Sequence, residues 1–189
     1  MSTFAFSPDG PSEARVGWDT ATRLARHHDV TVLCGDIARE KPTGSDVARY
    51  FSNNQTIPGL GIQYVEPTCA MERLTALHEK PGLWAVYYVA YHAWQKRAFA
   101  VAAALNQVKP FDIIHHLTYT TYREPGYLWR LDVPFFWGPI AGASDIPLSF
   151  ARILGVKGTM AFGSRRVANS IQRRASHRAR LAAQKAELV

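Results

Sequence analysis

Residues 3–35 read TFAFSPDGPSEARVGWDTATRLARHHDVTVLCG, and this stretch decides the fold. A short strand is predicted at 3–7; it stops at the turn residues 8–11, and Ser12 can cap the helix that follows. The next apolar run, 29–35, is rich in β-branched residues, as buried strands are. A strand, a helix and a second strand joined so closely predict a right-handed βαβ crossover between parallel strands.

The rest of the chain continues this alternation. Strands alternating with helices indicate a parallel sheet covered on both faces, and uniformly apolar strands agree with that. We therefore predict one domain, 1–189, with an α/β, Rossmann-like three-layer sandwich. Residues 36–61 are polar and are interpreted as a long surface excursion with one helical turn near 47–51. Further strands are predicted at 62–65, 111–117 and 134–137, the start of another at 187–189, and helices at 83–107, 127–131 and 169–185.

Composition excludes several classes of protein. A hydrophobic fraction of 47% and a charged fraction of 20% are typical of a folded soluble domain. Cys34 and Cys69 lack metal-ligand spacing and are predicted to be free thiols in a reducing compartment. The first residues carry no basic segment, so no signal peptide is expected. Polar residues interrupt the longest apolar stretch, 83–105, which argues against a membrane span of about 20 residues.

Common catalytic motifs are absent. The nearest approach to a dinucleotide fingerprint, Gly59-Leu60-Gly61, has Tyr64 in place of its third glycine and precedes a strand rather than following one. The sequence contains no P-loop, no Asp-x-Asp pair and no Gly-x-Ser-x-Gly elbow. These absences disfavour dehydrogenases, kinases and hydrolases, and we expect no metal and no cofactor.

Ligands of open α/β sheets bind at the carboxyl ends of the strands, and the segment 7–18 follows the first of them. Gly10 and Gly17 would let the backbone approach a ligand closely. The N–H groups at the helix start favour an anion. The alternative is an ordinary capped turn without a ligand.

Two later segments end at the same edge. His115 and His116 close the fourth predicted strand, and because successive strand residues face opposite sides, at most one of them points into a given layer. The alternative is one packed and one solvated histidine. The segment 135–144 is a strand followed by a loop of small residues, for which the alternative is a tight turn.

Together these segments resemble the N-terminal domain of the family 4 glycosyltransferases, which have the GT-B fold. Their order and spacing match the family over nearly the whole chain. The matching motifs are Pro-Ser-Glu-Ala-Arg-Val-Gly-Trp at 11–18, His-Asp-Val-Thr-Val-Leu at 28–33, Phe-Asp-Ile-Ile-His-His at 111–116 and Val-Pro-Phe-Phe-Trp-Gly-Pro-Ile-Ala-Gly at 133–142.

The resemblance implies an enzyme of two Rossmann-like domains that face a cleft. The N-terminal domain receives a sugar, glycan or lipid-linked acceptor, and the C-terminal domain binds the nucleotide-sugar donor. Transfer is expected to proceed with retention and without a metal. The chain stops where the family begins its last N-domain strand, so we expect that the C-terminal donor domain is missing and that residues 1–189 alone are inactive.

The resemblance also implies site residues. A histidine after the fourth strand lies near the sugar and the acceptor in the family, and His116 is favoured here over His115 because the functional histidine is usually the later one. The family pattern is His-x-His, whereas this chain has His115-His116-Leu117, so both stay candidates. The implied substrate-binding residues are Gly10, Arg15, Gly17, Trp18, Gly138 and Gly142.

The net charge of +7 is concentrated in one segment. From residue 151 onward nine Lys and Arg face a single acidic residue, Glu187. At 3.6 residues per turn, Arg166, Arg173 and Arg180 share one helix face. We weigh a cytoplasmic protein bound peripherally to an anionic membrane surface against a solvated helix whose counterparts lie in the missing domain.

A second function is a non-catalytic Rossmann-like module whose basic C-terminal helix docks on an acidic partner or nucleic acid. Clustered arginines are the usual electrostatic footprint of nucleic-acid binding. However, no nucleic-acid motif and no base-stacking aromatic accompany the helix predicted at 169–185, so nucleic acid is not the partner we expect.

Overall fold

The computed structural model describes residues 1–35, 43–53, 56–78, 80, 83, 86–142 and 147–188. Within them one sheet carries six strands, all parallel, in the order β3-β2-β1-β4-β5-β6. The α/β class and the parallel sheet predicted from the sequence are confirmed. The strands are β1 Ser2–Thr3, β2 Val30–Cys34, β3 Leu60–Tyr64, β4 Ile114–Thr118, β5 Phe135–Trp137 and β6 Ala186–Leu188.

Helices cover both faces of this sheet. One layer contains α1 and α2, and the other contains α3, α4 and α6, so the sandwich has three layers, as predicted. Two 3-10 helices lie at Leu128–Arg130 and Leu148–Ile153. The α-helices are α1 Ser12–Leu24, α2 Thr43–Asn53, α3 Cys69–His78, α4 Val86–Val108, α5 Gly155–Ala175 and α6 His177–Lys185.

The larger core lies under α4. Trp94 and Tyr91 are fully buried, and each meets the ring of Phe4 edge-on at 4.8 and 4.9 Å between centroids. The indole Nε1 of Trp94 donates a hydrogen bond of 2.8 Å to the carbonyl of Val65. Gly35 makes room for this indole, because a Cβ at that position would lie 2.1 Å from Nε1. The core therefore fixes β1, β2 and the end of β3 against one helix.

The second core lies between the sheet and α1 with α2. Trp18 of α1 is buried at 5% exposure and packs against Phe6, Tyr50 and Phe51. Val32 of β2 is fully buried in the same cluster. Two helices and the residues after β1 thus share one apolar layer.

Several predicted boundaries were wrong. The strand predicted at 3–7 is only Ser2–Thr3, and the helix predicted at 169–185 is two helices that meet at Ser176. Ser176 ends the run because its hydroxyl accepts the N–H of Ala179 and caps α6. The predicted excursion contains α2, whereas its residues 36–42 lie outside the described part of the chain.

The helix α3 was missed entirely. Its start is fixed by Thr68, whose carbonyl accepts the N–H of Glu72 and whose hydroxyl accepts the N–H of Met71. Met71 and Thr75 lie one turn apart on α3, and both are buried. A Thr with an acidic residue one turn later is a helix-start signal that the sequence did contain.

Both cysteines are free thiols, as predicted. Cys34 is buried, and burial raises the pKa of its thiol to about 12. Cys69 is exposed. In the described part of the chain no helix combines the length and apolar character needed to cross a bilayer.

Candidate functional site

The strand order places the candidate site between β1 and β4. From β1 the chain proceeds outward through β2 and β3 on one side and, from β4, through β5 and β6 on the other. The loops after β1 and β4 therefore lead to opposite halves of the sheet. The point of the carboxyl edge between them, called the crevice below, is where open α/β sheets bind ligands. The loops after β1, β4 and β5 meet here, as the sequence predicted.

The loop after β1 is held by polar contacts to α2. The hydroxyl of Ser7 donates to Asp46 at 2.9 Å and accepts the N–H of Asp9. Arg49 bridges Asp9 and Asp46 at 2.8 and 3.1 Å. The position of α2 thus determines the shape of the loop after β1, although no residue of α2 was among the predicted site residues.

Gly10 lies in a tight part of this loop. A Cβ there would be 2.7 Å from Cβ of Ala14 and 2.9 Å from Cβ of Ser7. Arg15 follows on the exposed side, where it forms an ion pair of 3.0 Å with Asp19 and donates to the carbonyl of Pro8 at 2.5 Å. Both residues lie at the predicted edge, and their binding of substrate stays a prediction.

Gly17 and Trp18 are placed differently. Gly17 is buried, and a Cβ there would lie 2.9 Å from the carbonyl oxygen of Ala5, so this glycine allows α1 to approach β1 closely. Trp18 lies in the core beneath α1. Both face the interior of the domain, and in this arrangement neither reaches a ligand in the crevice.

A contact that the sequence did not reveal joins the loop after β1 to the loop after β4. The carboxylate of Glu13, in the first turn of α1, accepts the backbone N–H of Thr120 at 3.2 Å and a short hydrogen bond from its hydroxyl. The two residues are 107 positions apart. In the sequence, the only sign of this contact is an acidic residue at the start of the helix that follows the first strand.

The loop after β5 is paired with the loop after β4. The N–H of Gly138 donates to the backbone carbonyl of His116, and the N–H of Ala141 donates to the carbonyl of Thr120 at 2.6 Å. The N–H of Tyr122 then donates to the carbonyl of Ala141 at 3.2 Å. Gly142 is exposed at the end of this pairing with a φ of +77°. Gly138 and Gly142 therefore lie at the predicted edge of the crevice.

The two candidate histidines occupy opposite faces of β4, as alternation requires. His115 is half-buried and its Nε2 donates to the carbonyl of Gly138 at 2.8 Å. His116 is 1% exposed in the layer of α4, and neither ring nitrogen has a hydrogen-bond partner among the described residues. Neither ring is open to the crevice in this arrangement, so direct contact with a substrate would require a movement of the loop 119–127.

Burial controls the charge of both rings. The pKa of His116 is lowered to about 4, chiefly by desolvation and then by the neighbouring His115, while the backbone of Glu124 acts in the opposite sense. Desolvation also lowers the pKa of His115, against the hydrogen bond to Gly138. Both imidazoles are therefore neutral at pH 7 and can each donate one hydrogen bond and accept one.

A polar cluster joins α4, the loop after β4 and α6. Arg178 forms an ion pair of 2.6 Å with Glu124, which also lies 3.3 Å from Nδ1 of His92. The hydroxyl of Tyr127 makes a short hydrogen bond to His92. Desolvation and the nearby Arg178 lower the pKa of His92, whereas Glu124 raises it. The cluster borders an open cavity of about 430 Å³ and attaches the basic C-terminal segment to the domain.

A second anchor of that segment is Arg123. Its guanidinium donates to Gln172 and Asn169 of α5, both at 2.6 Å. Of the nine basic residues counted in the C-terminal segment, Arg178 is thus used inside the domain. Within the described residues no group of three or more His, Cys, Asp or Glu side chains could hold a metal ion.

Comparison with known proteins supplies no further constraint: no family model, no curated protein and no solved structure matches the chain.

Proposed function

We propose that the chain is the acceptor-side domain of a GT-B glycosyltransferase, which transfers a sugar from a nucleotide sugar to an acceptor. On this proposal the acceptor binds in the crevice between β1 and β4, and the donor is bound mainly by a second domain. The reaction proceeds with retention and without a metal. The substrate residues are Gly10, Arg15, Gly138 and Gly142.

The observation that carries the proposal is the meeting of three loops at one point of the sheet. The first loop is joined to the loop after β4 through Glu13 and Thr120, and that loop is joined to the loop after β5 through Thr120 and Ala141. These are the segments on which the family resemblance rests. A neutral histidine, His116, lies buried in β4, and its imidazole can orient or polarise a polar group in the crevice once the loop 119–127 moves aside.

Sugar transfer by the full-length protein is the direct test. With a panel of nucleotide sugars and acceptors, we expect turnover by a protein that includes the donor domain and none by residues 1–189 alone. His116→Ala should reduce turnover on the order of 10²-fold, the scale of one positioned acid–base group. Product formation is measured by mass spectrometry.

The control is His115→Ala, on the opposite face of β4. An unchanged rate in His116→Ala together with a reduced rate in His115→Ala would assign the role to His115. Turnover by residues 1–189 alone, or no turnover of any nucleotide sugar by the full-length protein, would contradict the proposal. In the latter case the binding module with a basic C-terminal helix becomes the better explanation.

We propose an anionic membrane surface as the partner of α5. Four exposed apolar side chains recur on this helix within an arc of about 60° at 100° per residue: Val156, Met160, Val167 and Ile171. Lys157 lies about 40° beyond one end of the arc and Arg166 about 80° beyond the other, and α5 contains no Asp or Glu. An apolar stripe edged by basic residues is typical of helices that lie in a lipid interface.

The structure changes the expected charge pattern of this surface. The stripe of Arg166, Arg173 and Arg180 is interrupted because α5 ends before Arg180. Arg178 is drawn inward by Glu124. Among the side chains of α5 whose exposure the structure describes, Lys157 and Arg174 are exposed basic residues that can meet a lipid headgroup.

Vesicle sedimentation tests this partner. We expect binding to anionic vesicles that weakens with salt, and little binding to neutral ones. Lys157→Gln with Arg174→Gln should weaken binding at least about tenfold, from about 1 kcal/mol per basic residue. Val167→Ser with Ile171→Ser should also weaken it, whereas Val108→Ser, at a still more exposed valine on α4, should not. Equal binding to neutral vesicles, or none to either, would contradict membrane docking.

A further inference from the structure

The imidazole of His116 is covered by the loop that follows β4. Pro125 and Gly126 of this loop are buried, and a Cβ built on Gly126 would lie 3.2 Å from Cε1 of the ring. Gly126 has a φ of +63°, which glycine adopts without strain. The ring is 1% exposed, and neither of its nitrogens has a hydrogen-bond partner among the described residues. Access to these nitrogens therefore depends on the position of the loop.

Two parts of the loop are attached to different elements. Residues 120–122 are bound at the carboxyl edge of the sheet, where Thr120 is held by Glu13 and the N–H of Tyr122 donates to the carbonyl of Ala141. Residues 123–127, called the cover below, include Gly126 and contact the C-terminal helices instead. The cover can therefore move without disturbing the attachment of residues 120–122.

The first contact that holds the cover comes from α6. Arg178 forms an ion pair of 2.6 Å with Glu124, whose side chain is only 13% exposed. The same guanidinium donates to the carbonyl of Arg123 at 3.4 Å and to the hydroxyl of Tyr127 at 3.2 Å. One arginine of α6 thus binds the cover on both sides of Gly126. Because the pair is largely buried, solvent and salt screen it less than a surface pair.

The second contact comes from α5. The guanidinium of Arg123 donates to the side-chain oxygens of Asn169 and Gln172, both at 2.6 Å. At 100° per residue these two side chains lie about 160° from the centre of the exposed apolar stripe on the same helix. One side of α5 therefore binds the cover, and the opposite side carries the stripe.

We propose that α5 and α6 clamp the cover closed over His116, and that release of Arg178 and Arg123 exposes the imidazole to the crevice. The C-terminal helices are then an autoinhibitory element of the candidate site, and a partner that separates them from the cover opens it. The inference rests on the proposed function only in treating His116 as a site residue.

Chemical modification of His116 measures this opening. Diethyl pyrocarbonate acylates a neutral imidazole that it can reach, and fragmentation of peptides in a mass spectrometer locates the modified ring. In residues 1–189 at pH 7 we expect His116 to react at least about tenfold more slowly than His27, which is exposed. Arg178→Met should raise the initial rate at His116 on the order of tenfold, the scale of one lost hydrogen bond to a charged group.

Further variants separate the two contacts of the clamp. Glu124→Gln should raise the rate as Arg178→Met does, and the double variant should react about as fast as either single one, because both remove the same pair. Arg123→Met should raise it less, since its partners on α5 are neutral side chains. Should Arg178→Met fail to fold, Glu124→Gln and Arg123→Met still decide.

Two matched controls carry changes away from the clamp. Lys109→Met removes an ion pair of 3.1 Å with Asp29, before β4 and β2 at the amino edge of the sheet. Val167→Ser with Ile171→Ser changes α5 only on its exposed stripe. Both should leave the rate at His116 unchanged.

The buried thiol of Cys34, in the other core, reports opening of the whole domain. Its alkylation by N-ethylmaleimide should stay as slow in the clamp variants as in the wild type. The proposal is overturned if wild-type His116 reacts as fast as His27, if Arg178→Met and Glu124→Gln leave the rate unchanged, or if Cys34 and His116 accelerate together. Sugar transfer is no part of the readout, so the clamp and the proposed activity can fail independently.

Discussion

Replacing Trp94 by alanine is expected to lower the free energy of unfolding by about 4 kcal/mol, within the range measured for large buried aromatic residues. The indole is fully buried, packs edge-on against Phe4 and is stacked with Tyr91 at 6.2 Å. Its removal leaves a cavity and an unpaired carbonyl at Val65. Urea unfolding followed by circular dichroism measures the loss.

Two further substitutions separate packing from hydrogen bonding. Trp94→Phe keeps an aromatic ring but leaves the Val65 carbonyl unpaired, which should cost about 1–3 kcal/mol. Val108→Ala, at a site that is 87% exposed, should change stability by no more than about 0.5 kcal/mol. A loss below 1 kcal/mol in Trp94→Ala would mean that this core does not support the sheet as argued.

Trp94 also matters for the crevice. Phe4, against which it packs, is the first residue after β1, and its carbonyl accepts the N–H of Gly35 at 3.0 Å. The first loop therefore starts from a residue that the α4 core holds in place. A variant that loosens this core should alter the loop as well as the stability.

The sheet could be predicted because its signals are local. The apolar β-branched run of β2 and the turn at residues 8–11 each specify their own conformation, and alternation with helices then implies parallel pairing. The same reasoning located the loops after β1, β4 and β5 at one edge. It predicted only one turn of α2 and missed α3, two short helices whose buried residues Val47 and Met71 pack against segments distant in sequence.

The environment of single residues could not be predicted in this way. Trp18 looked like a residue of the crevice because it follows the first loop, but Tyr50 and Phe51 of α2 cover it. Gly17 looked like a ligand contact, but it permits the approach of α1 to the carbonyl of Ala5. Such roles depend on contacts between segments far apart in sequence, which one sequence does not reveal.

Acidification should destabilise the domain through His116. Burial lowers the pKa of this ring from 6.5 to about 4. Between pH 6.5 and pH 4 the unfolded chain therefore binds a proton that the folded domain does not bind. The stabilisation is complete above pH 6.5 and is lost as the pH falls to about 4. At 1.36 kcal/mol per pKa unit, the loss approaches about 3 kcal/mol. Urea unfolding at a series of pH values from 7.5 to 4 measures it.

The comparison with His116→Gln isolates this group from the carboxylates that also titrate near pH 4. Glutamine remains neutral, so the stability of the variant should fall less steeply between pH 6.5 and 4, by close to one proton in the slope. His115, whose pKa is also lowered by burial, stays in both proteins and cancels. If the two stability curves run parallel through this window, His116 is solvated or already paired with an acid. In that case the neutral, donor-and-acceptor imidazole beneath the crevice, on which the proposed site depends, would have to be abandoned.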